Sequence, residues 1–332
     1  MASKDVLKHG NSYVPTINDN PSSTFEAYET YSRQKIDELT KSGGGGASGS
    51  PVVSGYDWSG KTIVFEGESI TMNGTEKYPE YVAEQTGCVS VKIGQAGHPI
   101  MGSYVGQAWD FRRRIANIPA NADCILVMGD CLAHASTPSN DKYELTPDTW
   151  TGRWNLAIQA IKKSFPTVPV FLVAEYPMKG RHGNVTNVPI QFEATARRYG
   201  ALFISLPAEC NLNLEYQTPK YGLTATDGTH CNHAGMKLFA SAVIRRLKQI
   251  APPEWIGSDT LTMDESATVA VGSTVDIPHT ITGDLSIQWT SDNMDVACVM
   301  GGTVYGMTAG TATITAKTRN GNTATCVVTV TA

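Results

Sequence analysis

Residues 61–71 read KTIVFEGESIT, an apolar run from Thr62 to Phe65 that breaks into a glycine, an acid and a serine. A short apolar run closed by Gly67-Glu68-Ser69 reads as a buried strand that ends in a polar turn. Further runs of the same texture follow at Val89 to Ile93, Cys124 to Met128, Val170 to Ala174 and Leu202 to Ser205. Between them lie helical patterns. Tyr104, Ala108, Phe111, Ile115 and Ile118 share one face, and Trp150, Trp154, Ile158, Ile161 and Phe165 share another, the second with Thr146 as its expected N-cap and Pro147 at the first helical position. Strands alternating with helices imply an α/β fold, a parallel sheet with helices on both faces.

In such a sheet reactive groups gather at the carboxyl ends of the strands. Three polar, glycine-rich loops stand there or just before the final helix: Gly67-Glu68-Ser69-Ile70-Thr71, Gly94-Gln95-Ala96-Gly97, and Asp227-Gly228-Thr229-His230-Cys231-Asn232-His233-Ala234-Gly235. Serine is a weak nucleophile until a base accepts its proton, and histidine, with an ordinary pKa near ~6.5, suits that task at neutral pH. Ser69 and His230 are the expected pair. Asp227, three residues before the histidine, can fold back on the imidazole and fix its tautomer. His182 and His233 are read as loop and helix-cap residues, and Trp109, Trp150 and Trp154 as packing residues rather than ligands.

On these residues the stretch from 61 to 250 resembles the SGNH, or GDSL, hydrolases, serine esterases and lipases that act on acyl and acetyl esters. The resemblance implies a flavodoxin-like three-layer sheet, Ser69 as nucleophile, and Asp227 with His230 as the D-x-x-H of the family's last block. It also implies that the backbone N–H groups of Ser69 and Gly97 face the oxyanion, and that no cofactor or metal is needed. Two positions depart from the family pattern. The usual G-D-S reads Gly67-Glu68-Ser69, and the G-x-N-D asparagine is missing from Val127-Met128-Gly129-Asp130-Cys131-Leu132-Ala133-His134. Loss of one oxyanion donor costs about 2.7 to 4 kcal/mol. His134 and Asn140 are the candidate replacements, and Asp130, if charged, would repel an oxyanion.

The chain outside this stretch has a different texture. After the connector APPEWIG, residues 259–332 alternate Thr, Val, Gly and Ser at period two, the pattern of an all-β module. Val271-Gly272-Ser273-Thr274, Trp289-Thr290-Ser291, Val296-Ala297 and the run from Gly310 to Thr315 resemble the bacterial Ig-like group 2 family. Towards the N-terminus, the tract SGGGGASGSPVVSG from Ser42 to Gly55 has almost no side chains with which to bury a core. Before it, Ser23 to Glu26 reads as a capping box that opens a helix over about 24–39, whose single apolar stripe calls for a partner. The expected division is an anchor or oligomerisation segment at 1–41, a linker at 42–57, the hydrolase-like domain at 58–251, a connector at 252–258 and the Ig-like domain at 259–332.

A chain of 332 residues with 41% hydrophobic and 17% charged content is globular in class, and a net charge of −5 without basic runs argues against nucleic-acid or membrane partners. The opening MASKDVLKHGNSYVPTIN lacks an apolar h-region, so synthesis in the cytoplasm without a signal peptide is expected. Seven cysteines form no C-x-x-C pair and read as free, buried thiols. An anchor segment, a hinge, an esterase-like domain and an Ig-like module together resemble a bacteriophage virion protein, a head or tail fibre or decoration. That resemblance implies attachment to capsid or tail proteins through residues 1–41, a homo-oligomer with a trimer among the options, and host surface polysaccharide as the target. The expected reaction is removal of acyl groups, O-acetyl foremost. A catalytically weak or dead carbohydrate-binding module and a bacterial cell-surface esterase remain as alternatives.

Overall fold

The computed structural model describes residues 8–9, 12–13, 55–72, 77–96, 111–129, 139–175, 184–210, 230–255 and 257–332; for 8–9, 12–13 and 184–188 it describes only the backbone. The helix expected over 24–39, and with it the anchor segment, lies outside these residues, apart from a two-residue ladder that pairs Lys8–His9 with Ser12–Tyr13.

The apolar runs become the strands of one parallel sheet: β1 (Thr62–Glu66), β2 (Val89–Lys92), β3 (Cys124–Gly129), β4 (Val170–Ala174) and β5 (Leu202–Ser205). Their order is β2-β1-β3-β4-β5, the order of a flavodoxin-like fold. Every residue of β1, β3 and β4 is buried, because helices cover both faces of the centre. The edge strands β2 and β5 expose Val89 and Leu202. Alternation along β1 feeds two cores: Ile63 and Phe65 face one, Val64 the other.

Seven helices are described: α1 (Ser69–Met72), α2 (Tyr78–Thr86), α3 (Phe111–Ala116), α4 (Trp150–Ser164), α5 (Asn184–Tyr199), α6 (Leu206–Cys210) and α7 (His233–Leu247). Helices α2, α6 and α7 supply the core on the Phe65 face, where the Trp58 indole closes the layer by donating to the Leu247 carbonyl at 2.8 Å. Helices α3, α4 and α5 supply the opposite core, in which Trp150, Trp154 and Phe192 pack ring against ring.

The start of α4 differs from the expected one. Its N-cap is Thr149, extended at φ −108° and ψ 155°, whose hydroxyl accepts the Gly152 N–H at 3.0 Å. Thr146 instead accepts the N–H of Asp148 at 3.2 Å, so its hydroxyl closes the preceding turn. Thr146 and Pro147 therefore precede the helix, and Thr149, with extended backbone next to the first helical turn, takes the cap.

The C-terminal residues form β6 (Thr260–Met263), β7 (Ser266–Ala270), β8 (Thr274–Asp276), β9 (His279–Thr282), β10 (Ile287–Ser291), β11 (Ala297–Met300), β12 (Thr303–Gly306), β13 (Gly310–Thr318) and β14 (Thr323–Thr331). One sheet has the order β10-β13-β14-β7, with β14 and β7 parallel; β8-β12-β11 and β9-β6 complete an all-β sandwich. Trp289, Ile314 and Val328 lie in its core.

The sandwich docks on α3 and α4 and on the amino-terminal end of the sheet. Met300 enters the helix-side core of the α/β unit, and Gln288 donates to the Ala116 carbonyl at 3.1 Å. Lys163 on α4 pairs with Asp276 at 3.2 Å. Asp123, just ahead of β3, is the polar centre of this junction: it accepts the Thr62 N–H at 2.7 Å, the Trp255 indole N–H and the Arg319 guanidinium at 3.2 Å. Arg319 also lies 4.0 Å above the Trp255 ring.

Candidate active site

The carboxyl end of β1 turns sharply at Gly67. A Cβ on that residue would sit 2.2 Å from Thr71 Oγ1, so any larger residue would require Thr71 to shift. The Glu68 carbonyl accepts from the N–H groups of Thr71 and Met72, at 3.0 and 2.9 Å, which winds the next residues into α1. Ser69 is the first residue of that helix and is buried. The loop after β2 presses against the same turn: a Cβ on Gly94 would lie 1.9 Å from the Gly67 carbonyl oxygen, and Gln95 N–H donates to that oxygen at 3.1 Å.

His230 comes from the residues just ahead of α7. Asn232 caps α7 by accepting from the N–H groups of Ala234 and Gly235, each at 3.1 Å, which pins the residues just before the helix. His230 Nε2 then lies 2.7 Å from Ser69 Oγ, across 161 residues of sequence. That is hydrogen-bonding distance, the separation across which a base would take a serine proton. Glu68 is buried, and its extra methylene relative to aspartate leaves the Ser69–His230 contact intact. Asp227, Gly97 and His134 lie outside the described residues, as do Asp130, Cys131, His182 and Trp109. Asn140 is exposed, and His233 is the first residue of α7, its Nδ1 3.5 Å from the Tyr81 hydroxyl.

Three buried residues beside the site, Glu66, Arg114 and Tyr78, were not legible as such in the sequence. Glu66, the last residue of β1, is buried and ion-paired with Arg114 of α3, itself buried. Arg114 also donates to the Gly67 carbonyl at 2.8 Å. Burial pushes the Glu66 carboxyl up to about 7 against the lowering influence of Arg114. Tyr78 stands nearby with its hydroxyl 3.4 Å from Thr71 Oγ1, and burial raises its phenol well above the ordinary value.

The described thiols are poor rivals to the serine. Six are free and buried, and burial pushes Cys210 up to about 12. Among the described residues no group of three His, Cys, Asp or Glu is placed to hold a metal ion, and no helix is long and apolar enough to cross a membrane.

No protein-family model and no curated protein matches the sequence. Solved structures do match. One covers 58% of this chain and 99% of its own at 17% identity and a TM-score of 0.51. A Lactobacillus plantarum protein covers 57% and 97% at 22% identity, with a TM-score of 0.49. A Desulfitobacterium hafniense protein described as lipolytic and of the G-D-S-L family covers 56% and 98% at 14% identity, with a TM-score of 0.39. The first of these, with a TM-score above 0.5, is a likeness of fold that agrees with the sheet order, and at 17% identity it speaks to no residue's role.

Proposed function

We propose that the α/β unit is a serine esterase of the SGNH type that removes acyl groups, O-acetyl foremost, from carbohydrate. The observation that carries this reading is the 2.7 Å contact between Ser69 Oγ and His230 Nε2 at the carboxyl end of a parallel sheet. Ser69 Oγ attacks the ester carbonyl as His230 Nε2 takes its proton. The tetrahedral intermediate collapses, His230 returns the proton to the departing alcohol, and an acyl-serine remains. Water, deprotonated by the same imidazole, then releases the carboxylic acid. In this reading Asp227 orients the imidazole, and the backbone N–H groups of Ser69 and Gly97, with His134, receive the oxyanion.

The test is hydrolysis of p-nitrophenyl acetate and of an O-acetylated polysaccharide by wild type, Ser69→Ala and His230→Ala. Wild-type turnover that falls more than ~10³-fold in Ser69→Ala supports the proposal. Equal inactivity of wild type and variant at high enzyme concentration rejects it. One observation favours a second reading, a module that binds glycan without turning it over: no asparagine stands between Gly129 and His134 to complete the oxyanion hole. Glycan binding without release of acetate would select it.

We further propose that the chain divides at the glycine tract and the 252–258 connector, and that it is a virion surface protein anchored by residues 1–41, with the sandwich as an Ig-like module. The glycine-rich tract and the dissimilar flanking segments support this. Cross-linking of residues 1–41 to capsid or tail proteins in intact particles is the expected result; a monomer free of particles refutes it.

A further inference from the structure

The carbonyl of Gly67, two residues ahead of the nucleophile, is where three separate segments meet. It belongs to the end of β1, receives the Gln95 N–H from the loop after β2, and receives the Arg114 guanidinium from α3. We propose that Arg114 is the positioning residue of this turn, holding Ser69 in line with His230 through the Gly67 carbonyl and the Glu66 carboxylate. The proposal rests on the esterase reading above.

A Cβ on Gly94 would lie 1.9 Å from the Gly67 carbonyl oxygen, so the turn's height is set by that backbone contact and by the side chain braced against the same oxygen. That side chain is charged and almost wholly buried: the side chains of Arg114 and Glu66 are each 3% exposed. A guanidinium at this depth is costly unless paired, and arginine rather than lysine suits the place, because its planar fork can serve a carboxylate and a carbonyl together while a lysine ammonium acts as a single point charge. Displacing a nucleophile by about 1 Å costs on the order of 10²-fold in rate. A brace on the carbonyl two residues away acts on that scale.

The alternative is that the pair merely balances charge in the core, and three variants separate the two roles. Arg114→Met removes both the charge and the brace, Arg114→Lys keeps the charge without the fork, and Glu66→Gln/Arg114→Met leaves no unpaired ion. Circular dichroism gives the folded fraction to which each rate is scaled. The readouts are kcat and KM for p-nitrophenyl acetate and the rate at which a fluorophosphonate labels Ser69. We expect kcat and the labelling rate to fall about 10²-fold in Arg114→Met and about 10-fold in Arg114→Lys, with KM within about twofold. The double variant should fold yet stay as slow as Arg114→Met, because charge balance is restored and the brace is not. Wild-type kcat in the folded double variant, or in folded Arg114→Lys, overturns the proposal. Wild type that neither takes the label nor exceeds Ser69→Ala removes the esterase reading and the proposal with it, an outcome distinct from a labelled wild type matched by its Arg114 variants.

Discussion

Replacing Asp123 with alanine should cost the α/β unit about 3 kcal/mol. The carboxylate is 2% exposed and serves three donors: Thr62 N–H at 2.7 Å, the Trp255 indole N–H, and Arg319 at 3.2 Å. A hydrogen bond to a charged group contributes about 1.5 to 3 kcal/mol, and breaking a buried ion pair by removing one partner costs about 3 to 5 kcal/mol. The three share one carboxylate and do not add, so the lower part of the buried-pair range is the appropriate figure. Thr62 opens β1, so its orphaned N–H lies inside the sheet, whereas Arg319, with a side chain 20% exposed, recovers some hydration. Asp123→Asn keeps one acceptor oxygen and should lose about half as much. Urea unfolding followed by far-ultraviolet circular dichroism measures these differences, and a cycle with Arg319→Met isolates the ionic part, for which a coupling above about 1 kcal/mol is expected. A loss below about 1 kcal/mol in Asp123→Ala, or a coupling near zero, would refute the view of Asp123 as the polar centre of the junction.

The remaining predictions concern pH and the start of a helix. Burial raises Glu66 from 4.5 to about 7, so the folded state holds a proton that the unfolded chain releases, and stability should decline as pH rises through that interval. Glu66→Gln has no such proton to lose; its unfolding free energy relative to wild type should therefore rise by about 3 kcal/mol between pH 4 and pH 8. A pH-independent difference would show that Arg114 keeps the carboxylate charged throughout. At α4, Thr149→Ala should cost about 1 kcal/mol in thermal or urea unfolding and Thr146→Ala less than half of that; the reverse order would restore Thr146 as the cap.

The sheet was legible because a parallel strand covered on both faces leaves an almost unbroken apolar run, as in TIVF, CILVM and VFLVA. Ser69 and His230 were legible because a serine after the first strand and a histidine before the last helix converge at the same sheet end once that topology is granted. Glu66 was not, because the apolar run ends at Phe65 and an acid beside a glycine reads as the start of a solvated turn; only α3 overhead reveals it as buried. Arg114 stood in a run of three arginines that an amphipathic reading assigns to the wet face of the helix. Nor does period-two alternation say which strand pairs with which, so the parallel β7–β14 edge and the docking of Met300 against α4 had no local signal.

Those three arginines point in different directions from one short helix. Arg112 reaches Met307 Sδ at 3.4 Å and lies 5.8 Å from the centre of the Tyr305 ring, Arg113 pairs with Asp295, and Arg114 turns inward to Gly67 and Glu66. Helix α3 is thus a load path: its outer rungs hold the sandwich and its inner rung holds the serine's turn. In a densely packed interior a strain applied at one rung is passed to the next within a residue. Trimming the sandwich would remove the partners of Arg112 and Arg113 from one side of the helix whose other side meets the Ser69 turn, and a slower labelling of Ser69 in the trimmed chain is the expected consequence.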